Sequence, residues 1–136
     1  MKTPLFSWFT PRFSRRFALF AVLAIAACGG KDAAAPANPQ IAGHWKGDAA
    51  LTTVRFEANF TQAGSAVGGS GQFTSPLGSG PFTVTGQLTG ANVSLELTST
   101  EFGATTYVGR FSGADRIVGH ITAAAYGDID LTLDRD

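Results

Sequence analysis

From Ile41 to Asp136, apolar and polar residues alternate with a period of two, and glycine-rich turns interrupt the rhythm. A strand points successive side chains to opposite faces, so this pattern predicts antiparallel strands with one buried face. In the first strand Ile41, Gly43 and Trp45 share a face, with His44 and Lys46 on the other. The second reads most cleanly: Val54, Phe56, Ala58 and Phe60 point one way, Arg55, Glu57, Asn59 and Thr61 the other. A third, from about Val67 to Phe73, passes through Gly68, Gly69 and Gly71, a composition that weakens a strand and marks bends or bulges. The run Ser75-Pro76-Leu77-Gly78-Ser79-Gly80-Pro81 reads as a loop.

Phe82, Val84, Gly86 and Leu88 then form the inward set of a fourth strand, and Val93, Leu95 and Leu97 that of a fifth. The sixth holds Thr105, Tyr107, Gly109 and Phe111, the seventh Ile117, Gly119 and Ile121, the last Ile129, Leu131 and Leu133. Residues 122–126 are the only stretch that admits a turn of helix. About eight strands joined by short turns predict an all-β fold, an up-and-down meander closed into a small barrel. Closure removes the two unpaired edges that a flat sheet exposes. A two-sheet sandwich satisfies the same alternation and is the second architecture. The inward glycines Gly43, Gly86, Gly109 and Gly119 either open space inside or relieve strongly coiled strands. So small a domain has little margin for a large hole, and a largely filled barrel with a small cavity at one end is expected.

The chain begins differently. Lys2, Arg12, Arg15 and Arg16 precede an uncharged run, Phe17 to Ala27, too short to span a bilayer and of the length of a signal-peptide core. Ile25-Ala26-Ala27-Cys28 closes it with the only cysteine of the chain. Placed there, those four residues resemble the lipobox of bacterial lipoproteins. The resemblance implies cleavage before Cys28, a diacylglycerol on its sulfur and acylation of the new amino terminus, so residues 1–27 read as a lipoprotein signal peptide. A lone buried cysteine after an ordinary signal peptide is the alternative. Gly29 stands where an Asp favours inner-membrane retention in enteric bacteria, which implies an outer-membrane lipoprotein facing the periplasm. Ser14-Arg15-Arg16-Phe17-Ala18-Leu19 also resembles a twin-arginine export motif, though Ala18 and Phe20 depart from it. Residues 28–40, the lipidated cysteine and a segment rich in Ala, Gly and Pro, read as a flexible tether, and 41–136 as the barrel domain.

The balanced charge of the whole chain hides an asymmetry. Four of ten basic residues precede Cys28, whereas all ten acidic residues follow it, leaving the exported part at −4. That argues against nucleic acid as a partner and offers no basic patch for acidic headgroups. Acyl chains on Cys28 are therefore the expected membrane contact.

Gly43-His44-Trp45 at the start of the first strand resembles the Gly-x-Trp motif of lipocalins and related barrels. The resemblance implies that Trp45 plugs a closed end and that an Arg near the end of the last strand packs across it. Arg135 has that place, and Arg116 is a second candidate. The domain is shorter than a typical lipocalin. Its size is closer to avidin-like barrels, but Trp45 is the only tryptophan after Cys28, so an aromatic cage for biotin is not expected. Small bacterial lipoprotein protease inhibitors are similar in outline.

The inward positions hold almost no polar group, and no base, nucleophile or metal set converges there. No enzyme activity, catalytic residue, metal or cofactor is expected. His44 and His120 face outward on strands separated by the last one, where a zinc site shared with an Asp is the alternative to plain surface residues. Asp128, Asp130, Asp134 and Asp136 invite a calcium reading but lack a looped oxygen cage. The interior suits a small apolar ligand, with Trp45, Phe56, Phe60, Phe82, Tyr107 and Phe111 as candidate lining. The alternative function is docking of an envelope protein, such as a protease, on the outer surface or the loop at 75–81.

Overall fold

A computed structural model describes residues 34–49, 53–124 and 127–136. Eight strands follow one another: β1 Gly43–Ala49, β2 Arg55–Ala63, β3 Ala66–Ser75, β4 Gly78–Thr89, β5 Asn92–Ser99, β6 Gly103–Phe111, β7 Arg116–Ala123 and β8 Gly127–Arg135. Each pairs antiparallel with its neighbour, and β8 returns to β1 through Trp45 opposite Arg135 and Gly47 opposite Leu133. The sheet is a closed barrel, so the sandwich is excluded.

The two-residue rhythm decides what lies inside. Trp45, Phe56, Ala58, Phe60, Val84, Leu95, Tyr107, Phe111, Ile117, Leu131 and Leu133 are all buried in one core. Among the described residues no polar or charged residue is buried. The outward positions are chiefly Thr, Ser, Asp, Glu, Lys and Arg, and Val108 and Val118 are the only large apolar residues exposed on the strands described. A barrel that spans a bilayer has the reverse pattern, apolar outside and polar within.

Three elements differ from the sequence expectation. The third strand extends from Ala66 to Ser75, because its glycines pair in register with Ala58, Phe60 and Thr61 on one side and with Phe82, Val84 and Thr85 on the other. The loop at 75–81 shrinks to the two-residue turn Pro76-Leu77, with Ser79, Gly80 and Pro81 inside β4. The Ser75 hydroxyl fixes that turn, donating to the Gly78 carbonyl at 3.0 Å and accepting from the Leu77 amide at 3.2 Å. Pro81 is tolerated because pairing of β4 with β5 begins only at Thr83, leaving its missing N–H without a partner to lose. Where a turn of helix was admitted, β7 runs on through Ala123; residues 125 and 126 lie outside the described ones.

The inward glycines do not open space. A Cβ at Gly119 would meet the Val108 carbonyl oxygen and, at 2.8 Å, the Tyr107 ring; one at Gly109 would meet the Tyr107 hydroxyl at 2.8 Å. The ring of Tyr107 thus lies across both glycines and fills the volume they vacate. Its hydroxyl donates to the Leu131 carbonyl at 3.3 Å.

Candidate functional site

The two ends of the barrel are built differently. At the end where β1 begins, Trp45 is fully buried and its indole Nε1 donates to the Ile41 carbonyl at 2.7 Å. Phe111 meets the ring edge-on with centroids 6.0 Å apart, and the Arg135 guanidinium lies 4.5 Å from the ring centroid. Arg135 also donates to the Ala42 carbonyl at 2.6 Å, to the Gln40 carbonyl, and to Asp115 Oδ1 at 3.0 Å. Arg116, the other candidate, pairs instead with Asp134 at 2.6 Å.

The chain leading into β1 adds to this plug. Ile41 is fully buried and its amide donates to Gln62 Oε1 at 2.8 Å, Pro39 is buried, and Ala35 packs against the core. The described part of the segment expected to be a free tether therefore lies on the domain from Ala35 onward. Cys28 and the signal segment lie outside the described residues.

The opposite end is open. A cavity of about 290 Å³ enters the barrel there, lined by Ala49, Val54, Phe56, Phe73, Phe82, Leu97, Phe102, Ile121, Ala123, Ile129 and Leu131, with Ser75, Pro76, Leu77, Ser99, Gly103 and Thr105 toward the rim. Phe56 and Phe82 stack at 4.6 Å to form one wall, and Phe102, from the turn between β5 and β6, sits edge-on to Phe73. The rim hydroxyls are largely spoken for: Ser75 holds its own turn and Ser99 Oγ accepts from the Glu101 amide at 3.1 Å. The lining is thus almost wholly apolar. Apolar cavities of about 150 Å³ stay dry and accept benzene, so this one has room for a bicyclic molecule or a medium-length alkyl chain.

Of the six aromatic residues expected to line a ligand site, only Phe56 and Phe82 do so. Trp45, Phe60, Tyr107 and Phe111 belong to the solid half of the core, because period two fixes a residue's face but not its height along the barrel. Phe73, Phe102, Leu97, Ile121 and Ile129 were not singled out. A signal existed for Phe102: an aromatic residue in a short turn, where polar residues are usual.

The polar candidates scatter. His44 lies 3.3 Å from Asp136, whereas His120 pairs across the sheet with Asp130, about 20 Å further along β8 at ~3.3 Å per residue. A zinc site shared by the two histidines is therefore excluded. On β8 Asp134 holds Arg116 and Asp128 accepts from Thr122 at 2.6 Å, and just past its end Asp136 holds Lys46 at 2.6 Å. The hydrogen bond from Lys46 keeps the Asp136 carboxyl below its usual range and raises the Lys46 ammonium in turn. Among the described residues no three His, Cys, Asp or Glu side chains gather as metal ligands. A second, more open depression of about 720 Å³ crosses the outer face, lined by His44, Glu57, Asn59, Ser70, Gln72, Thr83 and Thr98 among others. Most of these side chains are exposed, and no buried polar group points into the depression.

No protein-family model matches the chain, and no curated protein matches it.

Proposed function

We propose that this protein is a lipid-anchored, periplasm-facing, non-catalytic binding module whose barrel takes up a small apolar ligand at its open end. One observation supports ligand uptake above all: a cavity of about 290 Å³ with an apolar lining, open at one mouth and sealed at the other by Trp45 and Arg135. Its volume lies at the lower end of the range for small-molecule sites. The anchor rests on the Ile25-Ala26-Ala27-Cys28 motif and its place after a basic, then apolar, segment.

Anchor and cavity have a simple geometric relation under this reading. The chain enters the domain at the sealed end, so an acylated Cys28 turns that end toward the membrane and the mouth toward water. A ligand then enters from the aqueous side rather than directly from the bilayer.

The test follows the methyl groups. Decan-1-ol added to the protein should shift the methyl resonances of Ile121, Ile129 and Leu97 and leave those of Ile117, Leu133 and Val93 in place. Absence of shifts at the mouth refutes uptake. For the anchor, Cys28→Ser should release the protein from the membrane fraction; retention at the wild-type level refutes lipidation at Cys28.

A second reading, docking of an envelope protein at the mouth, draws on one feature. Leu77 at the tip of the turn between β3 and β4 is 76% exposed. Replacement by Ser should then abolish capture of the partner while sparing the decan-1-ol shifts.

A further inference from the structure

The charges around the mouth select the head of the ligand. Its rim is acidic. On β1 Asp48, in the turn after β5 Glu101, and on β8 Asp128 and Asp130 are all exposed around the open end. A single cation stands against them there, Arg55 at the start of β2, and Asp48 already faces it at 3.6 Å. The other described cations are elsewhere: Arg116 and Arg135 at the sealed end, Arg110 on β6 opposite Asn92, and Lys46 on Asp136. His120, across from Asp130, is the remaining titratable group on the neighbouring strand β7.

The interior gives a head group no alternative partner. Ser75 and Ser99 are used by their turns, the Tyr107 hydroxyl is turned to Leu131, and the one further hydroxyl of the lining, that of Thr105, lies toward the rim. A bound amphiphile must therefore leave its polar end at the rim, among carboxylates. An anionic head there meets like charge, and the one cation at the rim, Arg55, already faces Asp48.

We infer that the cavity selects amphiphiles with a neutral or cationic head and discriminates against free carboxylates such as fatty-acid anions. The inference rests on the reading of the cavity as a ligand site. A neutral head, as in a long-chain alcohol, finds water at the rim and costs nothing in charge. A cationic head gains from Glu101, Asp128 and Asp130 together, an attraction between exposed charges that fades over about 10 Å at ~0.1 M salt.

Three probes of equal chain length separate the possibilities: decan-1-ol, decyltrimethylammonium and decanoate. They are titrated at pH 7 and low salt into the full chain bearing Cys28→Ser, so that no acyl chain of its own competes. Decyltrimethylammonium is expected to bind about tenfold or more tighter than decanoate, with a gap that narrows as salt is added. Replacing Glu101 and Asp128 together by Lys should reverse the order of the two ionic probes. Equal affinity for both, unchanged by salt and by the double replacement, overturns the selectivity while leaving the cavity as a site. Binding of none of the three overturns the site reading itself. Should the double variant fold poorly, the salt dependence of the unaltered rim decides alone.

Discussion

Arg135 lies across the face of Trp45, its guanidinium 4.5 Å from the ring centroid, although the two residues stand at opposite ends of the domain sequence. The register of the closing pair puts them there, since Trp45 is the β1 partner of Arg135 on β8. One side chain thereby joins the first strand, the last strand and the entering chain, whose Gln40 and Ala42 carbonyls it also holds.

Arg135→Ala should therefore destabilise the domain by about 1–3 kcal/mol, from lost cation–π attraction and charge-assisted hydrogen bonds. Arg135→Lys should recover less than half of that, because an ammonium lacks the planar fork that spans two carbonyls and an aromatic face. Urea denaturation of the three proteins provides the check. Equal stability of the Ala and wild-type forms would reduce the contact to decoration.

A second prediction concerns the floor between the solid and hollow halves. At Gly109 an added methyl meets only side chains, Tyr107 and Ile117, whereas at Gly119 it also meets the Val108 carbonyl and the Gly109 Cα. Side chains give way and backbone does not, so Gly119→Ala should cost more than Gly109→Ala. Overpacking of this kind costs about 1–3 kcal/mol, with Gly109→Ala near the lower limit and Gly119→Ala at or above the upper. Denaturation midpoints that rank the other way would mean that the Tyr107 ring does not rest where it is described.

These residues also show how far the sequence could be read. Alternation alone gave the inward set of most strands, because a half-buried strand leaves no other reading of Val54 to Phe60 or Val93 to Leu97, but it gave none for the glycine-rich third. Closure followed from the cost of free edges, and the pairing of Trp45 with Arg135 from a motif at one end and its counterpart at the other. Depth was not legible. Whether Phe60 or Phe73 lines the cavity depends on the stagger of eight strands, and only the three-dimensional register sets that. Short-range chemistry was also misread at 75–81, where small and turn-forming residues suggested a long loop. The actual turn needs only Pro76 and Leu77, because the Ser75 hydroxyl supplies its missing hydrogen bonds.

The cavity should be separable from the stability of the barrel. Ala123 lines the mouth and is only partly buried, so Ala123→Phe can place its ring in space already vacant. The variant is expected to keep the wild-type midpoint within about 1 kcal/mol, since volume is added to a void rather than to packed core. Its affinity for decan-1-ol, read by calorimetry, should fall about tenfold or more. Unchanged affinity would place the ligand elsewhere, whatever the methyl shifts show.

The last prediction turns on the single phenol in the core among the described residues. Tyr107 is 1% exposed, and burial pushes its pKa far above the usual phenol range. In the unfolded chain that phenol ionises near pH 10; in the folded barrel it stays protonated well beyond. Above pH 10 the unfolded state then binds fewer protons than the folded one, and stability falls as pH rises, by at most about 1.4 kcal/mol per pH unit from this group. Below pH 10 both states are protonated and its contribution is whole. Tyr107→Phe removes the titration together with one long hydrogen bond to Leu131. The variant should be weaker by about 0.5–1.5 kcal/mol at pH 7, yet lose less stability than wild type between pH 10 and 12, so that the two curves converge. Parallel decline of both proteins over that interval would show that the Tyr107 phenol ionises as easily in the barrel as in the unfolded chain.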